Sequence, residues 1–147
     1  MSEADCPDYP ESPGEGRLTR DEFERWVDAY IEFQKGDNHP DNDPLWWAVL
    51  WFMDLGDAGG ASPEDCWRAI LAILTKEPDD RVLGILAAGP LEDLIETSGS
   101  QFIERIEQQA RAHSSFRDLL RGVWESGSED VWRRVQRAQD GPTGFED

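Results

Sequence analysis

The side chains with reactive potential are few, and their sequence neighbours speak against catalysis. His39 lies in the acidic stretch Asp37-Asn38-His39-Pro40-Asp41-Asn42, and His113 ends a polar helical stretch; neither has a nucleophile beside it in sequence. Cys66 falls in the first turn expected of a helix, where the dipole can lower a thiol pKa. Glu64 and Asp65 directly precede it and oppose that shift, so a buried, inert Cys66 is the expectation. Glu92 and Asp93 follow Gly89-Pro90-Leu91 as an adjacent carboxylate pair. Consecutive helical residues point about 100° apart, and first-turn acids beside a Gly-Pro break suit the helix dipole. The acidic stretch also fails as a calcium loop, which needs a Gly at its sixth position and a Glu at its twelfth. Counted from Asp37, those positions hold Asn42 and Ala48. There is no Gly-rich phosphate loop, zinc-ligand spacing or Ser nucleophile motif. No enzyme, cofactor or metal site is therefore expected.

The sharper feature is a line of carboxylates. Phe23, Trp26, Val27, Tyr30 and Ile31 recur at the spacing of one helix face, which predicts an amphipathic helix. Thr19 and Glu22 form a capping box at its start, and Leu18 can staple against Phe23. Asp21, Glu24, Asp28 and Glu32 fall on the opposite face, and Asp37, Asp41 and Asp43 continue the run beyond Gly36. Like charges four residues apart weaken a helix by a few tenths of a kcal/mol per pair. Such a stripe is either an ordinary solvated face or a surface that meets a cationic partner. Electrostatic complementarity would speed encounter with that partner.

The overall charge points the same way. Fourteen basic and 32 acidic side chains give a net charge of −18, far beyond the magnitude of about 2–8 that suits solubility in a small domain. Residues 1–65 carry 17 acids and 4 bases, whereas residues 99–147 carry 9 and 7. Nucleic acid and anionic membrane surfaces select for Lys and Arg, so neither is an expected direct partner. A basic protein is. Cys6 and Cys66 suggest no disulfide framework, and the first residues lack the basic and apolar regions of a signal peptide. A cytoplasmic setting is expected.

The elements that must position these groups read as helices throughout. The segment Asp43-Pro44-Leu45-Trp46-Trp47-Ala48-Val49-Leu50-Trp51-Phe52-Met53-Asp54-Leu55 is apolar nearly all round and reads as a buried central rod, capped by Asp43 and stopped by Gly56. Ser62-Pro63-Glu64-Asp65 opens the next helix, which Pro78 ends. Further helices are expected from Arg81 to about Ala88, from Leu91 to Thr97 with Gly99 closing it, and around Phe102–Ala110. Ser115 is expected to cap a helix whose core side is Phe116, Leu119, Leu120, Val123 and Trp124. Ser128 caps the last, with Val131, Trp132, Val135 and Ala138 inward and Arg133, Arg134 and Arg137 outward. No stretch alternates as a strand does. Trp47, Trp51, Trp67, Trp124 and Trp132 are the expected buried tryptophans.

The runs Ala87-Ala88-Gly89-Pro90-Leu91-Glu92-Asp93-Leu94-Ile95, Phe116-Arg117-Asp118-Leu119-Leu120 and Val131-Trp132-Arg133-Arg134-Val135 resemble a bacterial family of small helical proteins of unknown function. In it a Gly-Pro-Leu-Glu-Asp segment precedes a Phe-Arg-x-Leu-Leu helix and a final Trp-containing helix. The likeness covers the second half of the chain and, more weakly, the Trp-rich rod. It implies a helical bacterial cytoplasmic protein and no accepted activity, and it carries no catalytic role to Glu92 or Asp93.

The expectation is an all-α protein of about eight short helices, in an irregular α-solenoid-like stack or a compact bundle. Residues 17–140 would form one helical domain between a disordered acidic tail, 1–16, and a frayed tail, 141–147. Functionally the expectation is a binding module that inhibits or neutralises a basic bacterial protein, such as an immunity protein covering a toxin or nuclease. Asp21, Glu24, Asp28, Glu32, Asp37, Asp41 and Asp43 would form its binding surface. A DNA mimic occupying a nucleic-acid-binding groove, or a structural adaptor, stays open beside it.

Overall fold

The Thr19–Glu22 box closes as its spacing predicts. Glu22 N–H donates to Thr19 Oγ1 at 3.1 Å, and Thr19 N–H donates to Glu22 Oε1 at 2.9 Å. The computed structural model describes residues 18–36, 44–53 and 61–140. The expected tails at 1–16 and 141–147 and the loop bearing Asp37, Asp41 and Asp43 lie outside the described residues. Among those described there are only helices: α1 (Arg20–Lys35), α2 (Trp47–Met53), α3 (Pro63–Thr75), α4 (Asp80–Leu86), a π-helical segment (Ala87–Leu91), α5 (Glu92–Ala112), α6 (Ser114–Leu120) and α7 (Glu129–Asp140). None is long and apolar enough to cross a membrane.

The expected stop at Gly89-Pro90 does not occur. Proline in an α-helix clashes with the carbonyl four residues back and lacks the N–H to bond it. The chain accommodates Pro90 by widening into the π segment, where Glu92 N–H reaches back to the Ala87 carbonyl. Gly99 does not close a helix either. The backbone kinks one residue earlier, at Ser98 (φ −138°, ψ 23°), and resumes. Three expected helices thus fuse into one path over residues 80–112. The described chain has six helical rods instead of eight.

The chain divides into two compact units between Val82 and Leu83. In the first, α1 packs against both α2 and α3, so it is α1, not the Trp-rich segment, that the others are arranged around. Its inner face brings Trp26 to within 5.2 Å of Trp51 and 4.6 Å of Phe52, ring centre to ring centre. The Trp26 indole N–H donates to the Ala48 carbonyl at 2.9 Å, satisfying the polar atom of a fully buried side chain. Trp47, Trp51 and Trp67 are buried as expected. The Trp-rich helix starts later than expected, since Pro44-Leu45-Trp46 form a turn before it, and Met53 is exposed; the expected stop at Gly56 lies outside the described residues.

In the second unit α5 packs against α6 and α7. Leu94, Ile95, Phe102, Ile106, Phe116, Leu120 and Val135 form its core. Trp124 departs from expectation: it is 75% exposed. The α6 helix ends at Leu120 and the chain turns at Arg121-Gly122, so the helical spacing that aligned position 124 with Phe116 and Leu120 no longer applies. Val123 turns inward and Trp124 outward. Trp132 is half-buried. Arg134, expected outward, is also half-buried, against Glu107 of α5.

Candidate functional site

Asp21, Glu24, Asp28 and Glu32 are all exposed on α1, as the helical spacing requires once Trp26 and Tyr30 face the core. The structure does not leave them as one uniform stripe. Lys76, at the end of α3, places Nζ 3.5 Å from Asp28 Oδ1, and a groove opens on either side of that ion pair.

The first groove, of about 540 Å³, lies between α1 and the link that joins α3 to α4. Asp28, Ile31 and Glu32 line it from α1, and Glu77, Pro78 and Asp79 from the link. Lys35 and Lys76 also border it, so four carboxylates face two ammonium groups. The link is shaped by the helix end: Glu77 N–H donates to the Leu74 carbonyl at 3.0 Å. Glu77 adopts φ 54°, a left-handed conformation uncommon outside glycine and costly to hold. Asp79 Oδ1 accepts the Val82 N–H at 3.0 Å and so starts α4. The arrangement suits a lysine or arginine side chain, with carboxylates for its head group and Ile31 and Pro78 beside its aliphatic stem.

The second groove, of about 500 Å³, has the opposite character. Arg20, Arg68 and Lys76 border it around Phe23 and Val27, and Glu24 is its one acid. Arg68 lies 4.9 Å over the Phe23 ring and donates from Nη1 to Asp65 Oδ1 at 2.9 Å. Asp65 is fully buried. Burial raises its pKa, against the lowering effect of Arg68.

Asp28 and Glu32 thus line one groove, Glu24 lines the other, and Asp21 lines neither. As groove residues Glu77 and Asp79 are not singled out by the sequence, in which Asp79 or Asp80 only opens a short helix. Their signal was the run Glu77-Pro78-Asp79-Asp80, which reads first as helix punctuation.

In the second unit, Glu92 and Glu96 have a role that sequence spacing did not expose. Glu92 Oε1 accepts the Trp124 N–H at 3.4 Å, and Glu96 Oε1 accepts the Gly127 N–H at 2.8 Å. The start of α5 thereby holds the loop between α6 and α7. Asp93, between them, has a raised pKa because of burial, with the charges of Glu92 and Glu96 adding to it.

Neither Cys66 nor His113 lines either groove. Cys66 is buried, its Sγ 3.9 Å from the Ala61 carbonyl oxygen. His113 is exposed where α5 passes into α6, and His39 lies outside the described residues. Among the described residues no three His, Cys, Asp or Glu side chains are grouped as a metal site.

The chain belongs to DUF6869, a family of unknown function, which it matches over residues 35–143. The matched stretch takes in the 76–79 link, the π segment with Glu92, and the loop bearing Trp124. No curated protein and no solved structure matches the chain.

Proposed function

We propose that this protein is an acidic binding module that docks onto a basic protein and neutralises it, in the manner of a bacterial cytoplasmic immunity protein covering a toxin. The observation that carries the reading is the groove in which Asp28 and Glu32 of α1 meet Glu77 and Asp79. Repulsion among such carboxylates is relieved when a cation enters between them. The net charge of −18 supplies the long-range attraction that speeds encounter with a cationic surface.

The test uses the full chain and a variant carrying Asp28→Asn, Glu32→Gln and Glu77→Gln. A basic protein captured from the host by the wild type is taken forward, and its association rate is measured with both forms at two ionic strengths. The expected result is a slower association for the variant, by roughly tenfold at low salt, and a flatter salt dependence. Co-expression with that protein should relieve growth inhibition only for the wild type. Equal rates and equal salt dependence would return the groove to ordinary solvated surface.

A further inference from the structure

Among the described residues Trp124 of the second unit is one of two large hydrophobic side chains left exposed, with Met53 the other. Trp124 is 75% exposed, yet the loop that presents it is held from both sides. Val123 and Ser126, flanking it at one and two residues, are buried. Ser126 Oγ donates to the Trp124 carbonyl at 2.9 Å, while the Trp124 and Gly127 N–H groups donate to Glu92 and Glu96. Gly127 sits at φ +77° with the Ile95 carbonyl 3.0 Å from where a Cβ would lie, so the loop closes tightly against α5. The exposure of Trp124 thus comes from where an anchored backbone aims it.

We propose that Trp124 is a docking point for an arginine- or lysine-bearing segment of a protein partner, whose cation lies on the indole face beside the Glu92 carboxylate. This deepens the reading that the partner is basic, and rests on it, but uses residues of the second unit, none of which lines the α1 groove. The chemistry follows from the surroundings. A cation over an indole gains from the ring quadrupole, more so when the contact is shielded from water. Glu92 lies at the loop's backbone, and Glu125, the next residue along, is exposed. Arg121, three residues before Trp124, is engaged: it donates to Asp118 Oδ1 at 3.0 Å and to the Gln139 carbonyl at 2.9 Å. A second copy of the chain is a poor occupant, because each brings a net charge of −18.

The experiment titrates the full chain with N-acetylated, amidated hexa-arginine at about 150 mM salt, following indole N–H resonances by nitrogen–proton correlation NMR. Trp124→Leu identifies its resonance by loss, and a folded spectrum elsewhere shows that the variant is intact. The expected result is that the Trp124 resonance moves on titration and that Trp124→Leu weakens peptide binding about two- to fivefold. Glu92→Gln, which keeps an acceptor for the Trp124 N–H, should weaken it too. A variant carrying Asp28→Asn, Glu32→Gln and Glu77→Gln separates the two surfaces. If the Trp124 shift persists in it and overall affinity is unchanged, the α1 groove reading fails and this one stands. A stationary Trp124 resonance with equal affinity for Trp124→Leu overturns the inference, and the groove reading then stands if the triple variant binds more weakly. A shift that follows protein concentration without peptide, with a rise in molar mass by light scattering, also overturns it and makes the face a self-association surface.

Discussion

The Arg134 guanidinium of α7 grips the Glu107 carboxylate of α5 through two parallel hydrogen bonds, 2.7 Å from Nε to Oε2 and 2.6 Å from Nη2 to Oε1. This fork geometry is specific to arginine, since lysine offers one ammonium in place of a planar pair of donors. It ties together the two helices that close over Ile106 and Val135. Hydrogen bonding from Arg134 holds the Glu107 carboxyl below its ordinary pKa. A carboxyl so lowered contributes stability that is fully present above its unfolded pKa and is lost as pH falls through its folded pKa.

Replacing Arg134 with Lys, which keeps the charge and removes the fork, should lower the thermal midpoint by about 2–5 °C near neutral pH. Glu107→Gln should do likewise near neutrality, and the difference from wild type should shrink as the solution is acidified through the Glu107 titration. Thermal unfolding followed by circular dichroism between neutral and acidic pH checks both. A difference independent of pH would mean that packing, not the ion pair, joins the helices here.

Asp65 should show the opposite pH behaviour. Its carboxylate is fully buried and Oδ2 has no hydrogen-bond partner among the described residues. Burial raises its pKa although Arg68 opposes the shift. An acid with a raised folded pKa destabilises the protein above that pKa, and the penalty is relieved as pH falls through it towards the unfolded value. Asp65→Asn should remove this component while keeping an acceptor for Arg68. The stability of wild type relative to Asp65→Asn should therefore rise on acidification, whereas relative to Glu107→Gln it should fall. Two difference curves of the same sign would refute the assignment.

Gly99→Ala should be markedly destabilising, by roughly 1–3 kcal/mol. An added Cβ would lie 2.9 Å from Val131 Cγ1, at the contact between α5 and α7. The companion change Val131→Ala should recover part of that loss in a double-mutant cycle by denaturant unfolding. If the effects simply add, the closeness of the two residues is not what selects glycine there.

Local chemistry made much of this architecture legible. Thr19, Ser62, Asp79 and Ser128 each accept the N–H three residues on, starting α1, α3, α4 and α7. Caps bond only to neighbours along the chain, so residue type and spacing placed these; the expected cap at Ser115 fails, because α6 begins at Ser114 after His113 with no side-chain cap bond. The apolar period of α1 likewise determined which face is buried, and with it that Asp21, Glu24, Asp28 and Glu32 face water. Tertiary structure decided what depends on residues distant in sequence. Whether Gly89-Pro90 breaks a helix turns on burial of Ala87, Pro90 and Leu91, which favours continuing the rod through a π turn. Whether Trp124 is inward depends on where α6 ends and on distant acceptors, Glu92 for its own N–H, 32 residues away, and Glu96 for that of Gly127, 31 residues away. The meeting of Asp28 and Glu32 with Glu77 and Asp79 depends on α1 packing against α3. Periodicity assigns a residue to a face; only packing decides what that face meets.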